Sequence, residues 1–329
     1  MYEAIENTIV NLKQAQTEIA SALDLSAIEA VLILFELMLG QEDEQLALLD
    51  REKIDRIKDT VEQAKFSELA GDGRRQVLQL LLVATQRQDQ LQANYQVTPD
   101  AIGMWFAYLV NHLIGDKQNA KILDLGVGSG NLLATVSQSL TNVNEYVAVE
   151  NDDTLITLAS GVAGLLEQSW ELIHEDAMQL DQADTFDIVI GDLPVGYYPK
   201  TAPANFVTAN QADELSYVHH LLIEKAVELL KAGGTALLLV PARIFENEAT
   251  DLLQLIQADH VYMQAFMRFP GKMFANAANA KALLVLQKQG SSVKQASPVL
   301  LADIPSYIDQ EATQRFLSEL TEWLTDNQL

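Results

Sequence analysis

The stretch AKILDLGVGSGNLL, residues 120–133, decides the fold class of this chain. A short apolar run leads through Asp124 into three glycines at alternate positions, Gly126, Gly128 and Gly130, before a second apolar run begins. Glycines let the backbone turn tightly and approach a ligand, and the next helix points its N–H groups toward an anionic group there. The pattern predicts a strand, a tight turn and a helix, and the turn is either a cofactor loop or a glycine-rich turn without a ligand.

Strand-like and helical runs alternate in the same way along the following part of the chain. The further β-rich runs are EYVAVE (145–150), WELIH (170–174), FDIVIGD (186–192), GTALLLVPA (234–242), HVYMQAFMRF (260–269) and KALLVLQK (281–288). Such alternation predicts an α/β fold with a doubly wound, mostly parallel, Rossmann-like sheet covered on both faces. Ligands of these sheets bind beyond the carboxyl ends of the strands, so the residues after each strand are the candidate site.

Residues 1–92 have a different, helical periodicity. Apolar residues recur at spacings of three and four in runs such as IENTIVNLKQAQTEIASAL (5–23) and RRQVLQLLLVATQ (74–86). We therefore expect an all-helical domain over 1–92 and a second, α/β domain over 93–329 that ends in an acidic C-terminal helix. No catalytic grouping stands out in the helical region. It is a candidate packing or homodimerisation module, with substrate recognition as the alternative.

Composition limits the classes of function. The chain of 329 residues has no cysteine, which excludes thiolate metal sites and a cysteine nucleophile. The N-terminal MYEAIENTIV lacks the order of a secretory signal. The most apolar segment, AIEAVLILFELMLG (27–40), is short and interrupted by two glutamates, which indicates a core helix. We expect a cytoplasmic protein without a membrane partner.

The net charge of −25, from 21 basic and 46 acidic residues, argues against a large nonspecific DNA interface. Any binding to nucleic acid is therefore expected to be weak. One sizeable basic stretch, residues 261–294, contains five basic residues and no acidic one. If nucleic acid binds, this stretch is the segment able to offset the repulsion from the phosphates.

Acidic residues follow the second and third predicted strands. Glu150 comes twenty residues after Gly130, where an acidic side chain accepts both hydroxyls of a ribose. Asp176, in HEDA (174–177), is placed to accept a hydrogen bond from an adenine amino group. The alternatives are a solvated acid for Glu150 and a turn carboxylate for Asp176. Asn131 stands where a dinucleotide fingerprint has glycine or alanine, so the turn fits NAD poorly.

The fourth strand ends in an unusual turn, FDIVIGDLPVGYYPK (186–200). Asp192 is followed by Leu193 and Pro194, and two tyrosines, Tyr197 and Tyr198, come shortly after. Two interpretations are open at this point. The segment is either a turn that happens to be aromatic or a site that binds a planar amine.

Taken together, these motifs resemble the class I S-adenosylmethionine-dependent methyltransferases. More narrowly, they resemble the adenine-specific DNA methyltransferase type, which methylates the N-6 amino group and whose fourth-strand motif is [N/D/S]-P-P-[Y/F/W]. YQVTPDAIGMWFAYLV (95–110) resembles the leading motif of that group, and LLKAGGTALLLVPARIF (229–245) and FPGKMFANAANAKALLVLQK (269–288) resemble its last strands. The resemblance covers about residues 94–288, and the ordered set is more specific than any single motif.

The resemblance implies S-adenosylmethionine as the cofactor and no metal. Asp192 and the carbonyl of Leu193 would accept hydrogen bonds from the substrate amine, and Pro194 would stiffen the turn. The residues implied to bind the cofactor are Thr98, Asp124, Gly126, Gly128, Gly130, Asn131, Glu150, Asn151, Asp176 and Ala177.

Val195 departs from the family pattern, because the family has an aromatic residue there that stacks on an extruded base. Tyr197 or Tyr198 would replace that ring if the loop folds back; otherwise both pack beneath it. The resemblance implies a methyltransferase acting on adenine in DNA. The alternatives are an amino methyltransferase for a protein or small molecule, and a non-catalytic regulatory protein that binds the cofactor.

Overall fold

The structure, a computed structural model, describes residues 2–41, 43–90, 97–141, 143–210, 215–246, 249–257, 260–274, 276 and 279–329. Its helices are α1 (Tyr2–Leu23), α2 (Ala27–Met38), α3 (Arg51–Gln63), α4 (Gly71–Asp89), α5 (Asp100–Ile114), α6 (Asn131–Ser139), α7 (Asp153–Leu165), α8 (Val218–Leu229), α9 (Thr250–Gln257) and α10 (Gln310–Asn327). Its strands are β1 (Ala120–Leu125), β2 (Val143–Glu150), β3 (Trp170–His174), β4 (Phe186–Asp192), β5 (Leu230–Pro241), β6 (Val261–Arg268), β7 (Lys281–Lys288) and β8 (Leu300–Asp303).

The eight strands form one mixed sheet in the order β3-β2-β1-β4-β5-β7-β6-β8. β1 pairs in parallel with β2 and β4, and β4 pairs in parallel with β5. β7 runs antiparallel to both of its neighbours, β5 and β6. The predicted doubly wound, mostly parallel sheet is confirmed. Its central strands β1 and β4 are almost entirely buried, as continuous apolar runs predict.

Seven of these strands coincide with the predicted β-rich runs, whereas β8 was not predicted. β8 is only four residues long and pairs in parallel with the outer side of β6. Its alternating half-buried and exposed residues carry little of the apolar pattern that identifies a central strand. The acidic C-terminal helix is present as α10.

The chain divides into two compact units, which we describe separately. The first unit comprises residues 1–103, 127–141 and 152–174, and the second comprises 104–126, 142–151 and 175–329. The predicted domain boundary between residues 92 and 93 lies outside the described residues, so the separate helical domain stays a proposal.

In the first unit, the N-terminal helices share a hydrophobic core with α6 and α7. Leu34 of α2 and Leu81 of α4 are fully buried in the same cluster as Ala134, Leu158 and Val162. The start of α2 is fixed by a capping box, in which Ser26 and Glu29 each accept a hydrogen bond from the other's backbone. The amphipathic helices therefore bury their apolar faces against the two helices that follow β1 and β2.

Candidate active site

The glycine-rich turn between β1 and α6 adopts the backbone conformation that its sequence predicts. Gly126, Gly128 and Gly130 have φ values of +96°, +56° and +86°, which side-chain-bearing residues rarely adopt. A β-carbon at Gly126 or Gly128 would meet no described heavy atom within 4 Å. At Gly130 it would lie 3.0 Å from the Trp170 side chain. Open space therefore adjoins the first two glycines, whereas the third permits close packing.

Asp124, near the end of β1, is the most unusual group of the second unit. Its side chain is 1% exposed, and neither carboxylate oxygen has a hydrogen-bond partner among the described residues. Burial raises the pKa of Asp124 well above its usual range, and the carboxylates of Asp192 and Glu150 raise it further. Carboxylates at the ends of β2 and β4 thus act on the buried carboxyl group near the end of β1.

This arrangement fits S-adenosylmethionine. The cofactor has a positive sulfonium, an ammonium group and ribose hydroxyls, which together supply the positive charge and the hydrogen-bond donors that an unpartnered buried carboxylate requires. Space for a ligand adjoins Gly126 in the same unit. The observation that supports the fit is the pair of unsatisfied oxygens of Asp124.

Glu150 and Asn151 lie at the end of β2, as predicted. Oε1 of Glu150 accepts a hydrogen bond from the backbone N–H of Asn151 at 2.8 Å. The carbonyl of Glu150 accepts another, from the N–H of Glu175 at 3.1 Å, in the segment after β3. These bonds hold the turn that carries the predicted ribose-binding residues.

Asp176 is already engaged by side chains of its own unit. Its Oδ2 accepts hydrogen bonds from the Tyr198 hydroxyl at 2.8 Å and from Lys200 Nζ at 2.9 Å. Its Oδ1 accepts from the N–H of Met178 at 3.1 Å and caps the short 3₁₀ turn that begins at Ala177. Burial acts to raise the pKa of Asp176, but these hydrogen bonds outweigh it and hold the pKa below its usual range. The roles of Asp176 and Ala177 toward adenine stay predictions.

The two tyrosines after Asp192 have different environments. Tyr198 is 5% exposed, and burial together with its bond to Asp176 raises its pKa to about 12. Tyr197 is 57% exposed, and its ring stacks on that of Tyr217 with centroids 4.8 Å apart and planes at 21°. Tyr198 therefore packs beneath the loop, and of these two rings only Tyr197 is accessible. Val195, at the family's aromatic position, is also exposed.

The Asp192 side chain forms an ion pair with Lys281, whose Nζ donates to Oδ1. Both side chains are largely buried, at 18% and 24% exposure respectively. Next to Asp192, the N–H of Leu193 donates to the carbonyl of Leu239 at 3.1 Å, and the Leu193 side chain is fully buried. Pro194 is exposed. The turn is thus anchored at the Asp192 carboxylate and at the residue that follows it.

Sequence reasoning gave Lys281 no role at Asp192, although the topology explains its position. β7 is antiparallel to β5, and Lys281 pairs with Pro241 at the end of β5. The first residue of β7 therefore lies at the same edge of the sheet as the carboxyl end of β4. Prediction of β7 as a strand antiparallel to β5 would have placed Lys281 close to Asp192. Lys200 and Tyr217 were also missed, because nothing in their spacing marks them.

The basic stretch 261–294 is less available than its sequence suggests. Arg268 forms a two-pronged pair with Asp303, with N–O distances of 2.8 and 3.1 Å. Lys288 pairs with Asp184 at 2.7 Å. Together with Lys281, three of its five basic residues are engaged in ion pairs within the protein.

In the first unit, two further predicted cofactor residues contact each other. Asn131, the first residue of α6, donates a hydrogen bond from Nδ2 to the carbonyl of Thr98 at 2.7 Å. Both residues are 6% exposed. The structure therefore brings the segment before α5 directly against the start of α6.

The sheet order, the antiparallel β7 and the buried Asp124 just before a glycine-rich turn define a class I S-adenosylmethionine-dependent methyltransferase. Residues 84–323 match the model of the N-6 DNA methylase family. The chain belongs to this family, and S-adenosylmethionine is its cofactor.

The chain also resembles individual proteins over nearly its whole length. It is 35% identical over 314 residues to the Bacillus subtilis (strain 168) protein YtxK, covering 95% of each chain. A Listeria monocytogenes protein, described as a candidate class I S-adenosylmethionine-dependent methyltransferase, is 31% identical with a TM-score of 0.88, covering 98% of this chain and 99% of that one.

More distant structures share the fold. The modification subunit of a candidate type I restriction enzyme from Vibrio vulnificus YJ016 is 13% identical with a TM-score of 0.62, covering 89% of this chain and 69% of that one. In the part of the chain that the structure describes, no helix has the length and hydrophobicity of a membrane span.

Proposed function

We propose that this methyltransferase transfers a methyl group to the exocyclic amino group of adenine in DNA. The observation that carries the proposal is the Asp192 carboxylate at the carboxyl end of β4, held by Lys281 and followed by an anchored turn. Family membership supports the choice of adenine. The motif D-L-P retains a side-chain acceptor followed by a proline-stiffened turn.

The residue types suit this chemistry. The lone pair of an arylamine is delocalised into its ring, so the nitrogen is a poor nucleophile. Asp192 and the carbonyl of Leu193 would each accept one amine hydrogen, which favours a pyramidal nitrogen with a directed lone pair. Lys281 holds the Asp192 carboxylate in one orientation, so little reorganisation is needed when the amine binds.

S-Adenosylmethionine, when bound, supplies an electrophilic methyl group. In the second unit, Asp124, Gly126 and Glu150 are the residues that would hold it. Asp124 offers an acceptor for the positive part of the cofactor, and Glu150 offers acceptors for the ribose. Asp124 lies within electrostatic reach of Asp192, so we propose that the cofactor-binding and amine-binding groups adjoin in this unit.

We propose that Tyr197 provides the aromatic surface that Val195 cannot. Its ring is exposed, and Tyr217 supports one of its faces by stacking. Stacking of a base on an aromatic side chain is worth about 1–3 kcal/mol. Single-stranded or distorted DNA is the favoured substrate, because no base then has to be unstacked from a duplex.

The charge of the chain favours one alternative acceptor class, an amine on a protein or small molecule. The net charge is −25, and three basic residues of the one basic stretch are engaged in ion pairs. Few basic side chains are therefore left for contacts to phosphates, and DNA binding by this chain would be weak.

The test is transfer of labelled methyl groups from S-adenosylmethionine to unmethylated single-stranded and duplex DNA at low salt. Wild type should label DNA, Asp192→Ala should not, and Asp192→Asn should retain part of the activity because its amide oxygen still accepts a hydrogen bond. Asp184→Ala is the control, since Asp184 is exposed and precedes β4 at its other end.

The outcomes separate the acceptor classes. Label on a protein or metabolite of a cell extract, with none on DNA, would favour the alternative. Cofactor binding without transfer to any acceptor would leave the non-catalytic interpretation.

Tyr197→Ala should raise the KM for DNA by about 5- to 150-fold, the equivalent of 1–3 kcal/mol.

A further inference from the structure

Arg75 of α4 is an arginine buried among the N-terminal helices, in the part of the chain that the methyl-transfer chemistry does not use. It is 3% exposed, although arginine is rarely buried without partners. Its Nε and Nη2 donate to Oδ1 of Asp72 at 3.0 and 2.8 Å. These contacts satisfy one side of the guanidinium within α4 itself.

The other side of the guanidinium reaches two different helices. Nη1 donates to Oδ1 of Asp100 at 2.5 Å and to Oγ1 of Thr135 at 3.3 Å. Asp100 is the first residue of α5, and Thr135 lies one turn into α6. One side chain of the N-terminal region therefore connects the start of α5 with the start of α6.

These two helix starts carry Thr98 and Asn131, which the family resemblance implies to bind the cofactor. Thr98 is two residues before Asp100, and Asn131 is one helical turn before Thr135. Oγ1 of Thr135 donates to the Asn131 carbonyl at 3.1 Å, and the Asn131 side chain donates to the Thr98 carbonyl at 2.7 Å. A continuous chain of hydrogen bonds thus leads from Arg75 to both residues.

The backbones of α5 and α6 also approach closely at this point. A β-carbon at Gly103 of α5 would lie 3.2 Å from side-chain atoms of Thr135. Gly103 therefore packs tightly against the Thr135 side chain, whose hydroxyl accepts the hydrogen bond from Arg75.

We infer that Arg75 is a positioning residue for S-adenosylmethionine, through which the N-terminal helices fix the geometry of Thr98 and Asn131. The inference rests on the proposed methyltransferase function and on the role toward the cofactor that the family resemblance implies for Thr98 and Asn131. Guanidinium is suited to the task, because its donors lie in a rigid planar fork that an ammonium cannot reproduce. Arg75 itself need not touch the cofactor.

The experiment is calorimetric titration of the full-length chain with S-adenosylhomocysteine, together with thermal unfolding without ligand. Arg75→Ala should weaken the affinity by about 2- to 30-fold, the range of mutations that act through a connected network. Arg75→Lys should give an intermediate loss of affinity. It provides the measurement if Arg75→Ala does not fold.

Leu78→Ala is the matched control, because Leu78 lies one turn along α4 and is buried in the core with an apolar side chain that cannot take part in hydrogen bonds. It should lower the unfolding temperature, yet the folded molecules should bind S-adenosylhomocysteine as wild type does. Arg75 variants that bind like wild type would overturn the inference. So would a loss of affinity in Leu78→Ala equal to that in Arg75→Ala, since destabilisation alone would then explain both.

Asn131→Ala separates this inference from the proposed site. If Asn131→Ala weakens the affinity and the Arg75 variants do not, the site stands and the role of Arg75 is wrong. If Asn131→Ala leaves the affinity unchanged, the assignment of Thr98 and Asn131 to the cofactor is wrong, and the inference fails with it.

Discussion

Asp124 illustrates how a single buried carboxylate can reduce the stability of a protein that has no ligand bound. A carboxylate buried without hydrogen-bond partners disfavours its own ionised form, which is why its pKa is raised. The cost falls on the protein without cofactor, and a positively charged ligand relieves it. Stability and binding should therefore respond in opposite directions to removal of this charge.

The first prediction is that Asp124→Asn unfolds at a higher temperature than wild type at pH 7 without cofactor. Because the pKa of Asp124 is raised in the folded state, wild-type stability falls as the pH rises from the usual aspartate range through that raised pKa. The variant should lack this fall in stability with rising pH. Thermal unfolding at a series of pH values measures the difference.

The same variant should bind S-adenosylhomocysteine more weakly than wild type in calorimetric titration. Asp181→Asn is the control, because Asp181 is exposed and its charge should affect neither property. An unchanged pH slope in Asp124→Asn would show that Asp124 does not carry the raised pKa.

The neighbouring tyrosines provide the second prediction. Tyr198→Phe removes a buried hydroxyl that donates to Asp176, and hydrogen bonds to charged groups contribute about 1.5–3 kcal/mol, so a loss of about that size is expected. Tyr197→Phe removes a hydroxyl from an exposed pair with Tyr217 and should change stability by less than about 0.5 kcal/mol. Urea unfolding at pH 7 measures both.

The sign of the pH dependence gives a further check on Tyr198→Phe. The pKa of Asp176 is lowered in the folded state, so its contribution is present at neutral pH and is lost as the pH falls through the lowered pKa. The difference between wild type and Tyr198→Phe should therefore shrink in acid. If the difference in stability between wild type and Tyr198→Phe stayed constant down to the lowest accessible pH, this prediction would be contradicted.

At the scale of the elements, α7 shows why glycines occur in a helix whose sequence is otherwise apolar. A β-carbon at Gly161 would lie 2.6 Å from a ring atom of Phe35 and 3.2 Å from its β-carbon. Phe35 is 2% exposed and belongs to the core of the first unit. Helix α2 therefore approaches α7 as closely as it does because Gly161 has no side chain.

The third prediction follows from this contact. Gly161→Ala should destabilise the fold, since overpacking a core costs about 1–3 kcal/mol and exceeds the gain of about 1 kcal/mol in helix propensity. Gly164→Ala is the matched control on the same helix, because it would meet only the flexible end of Leu39. Gly164→Ala should leave the free energy of unfolding almost unchanged. Denaturant unfolding compares the two, and equal effects would contradict the packing argument.

The elements that could be predicted from the sequence are those with a strong local pattern. The continuous apolar runs of β1 and β4 identified the central strands, and the three glycines identified the turn after β1. The contacts that depend on long-range pairing could not be predicted. Lys281 reaches Asp192, and Tyr198 reaches Asp176, across 89 and 22 residues of sequence. Secondary-structure propensity and hydrophobic periodicity describe neighbouring residues, so they do not predict contacts between residues this far apart in the sequence.

At the scale of the whole molecule, the excess of acidic residues is the dominant feature. The net charge is −25, and the isoelectric point calculated from the sequence is about 4.4. The fold must therefore tolerate self-repulsion of its surface at neutral pH, which the exposed ion pairs offset only slightly. Dissolved salt screens such repulsion over distances of about 10 Å at 0.1 M ionic strength.

The fourth prediction is that the unfolding temperature of the protein without cofactor rises between about 20 mM and about 200 mM NaCl at pH 7. The control is the same series near pH 4.4, where the net charge approaches zero and the rise should be much smaller. Differential scanning calorimetry measures both. An unfolding temperature that falls with salt at pH 7 would indicate that attractive pairs outweigh the net repulsion.

The ion pair between Lys281 and Asp192 has a consequence for the choice between acceptors. An aliphatic amine such as a free lysine side chain is protonated at pH 7, since its ordinary pKa is about 10.4. It would bring a second cation beside Lys281 and would have to lose a proton before it could act as a nucleophile. The amino group of adenine is uncharged at that pH and meets neither obstacle. We therefore propose that Lys281 beside Asp192 would favour neutral aromatic amines over protonated aliphatic amines as methyl acceptors.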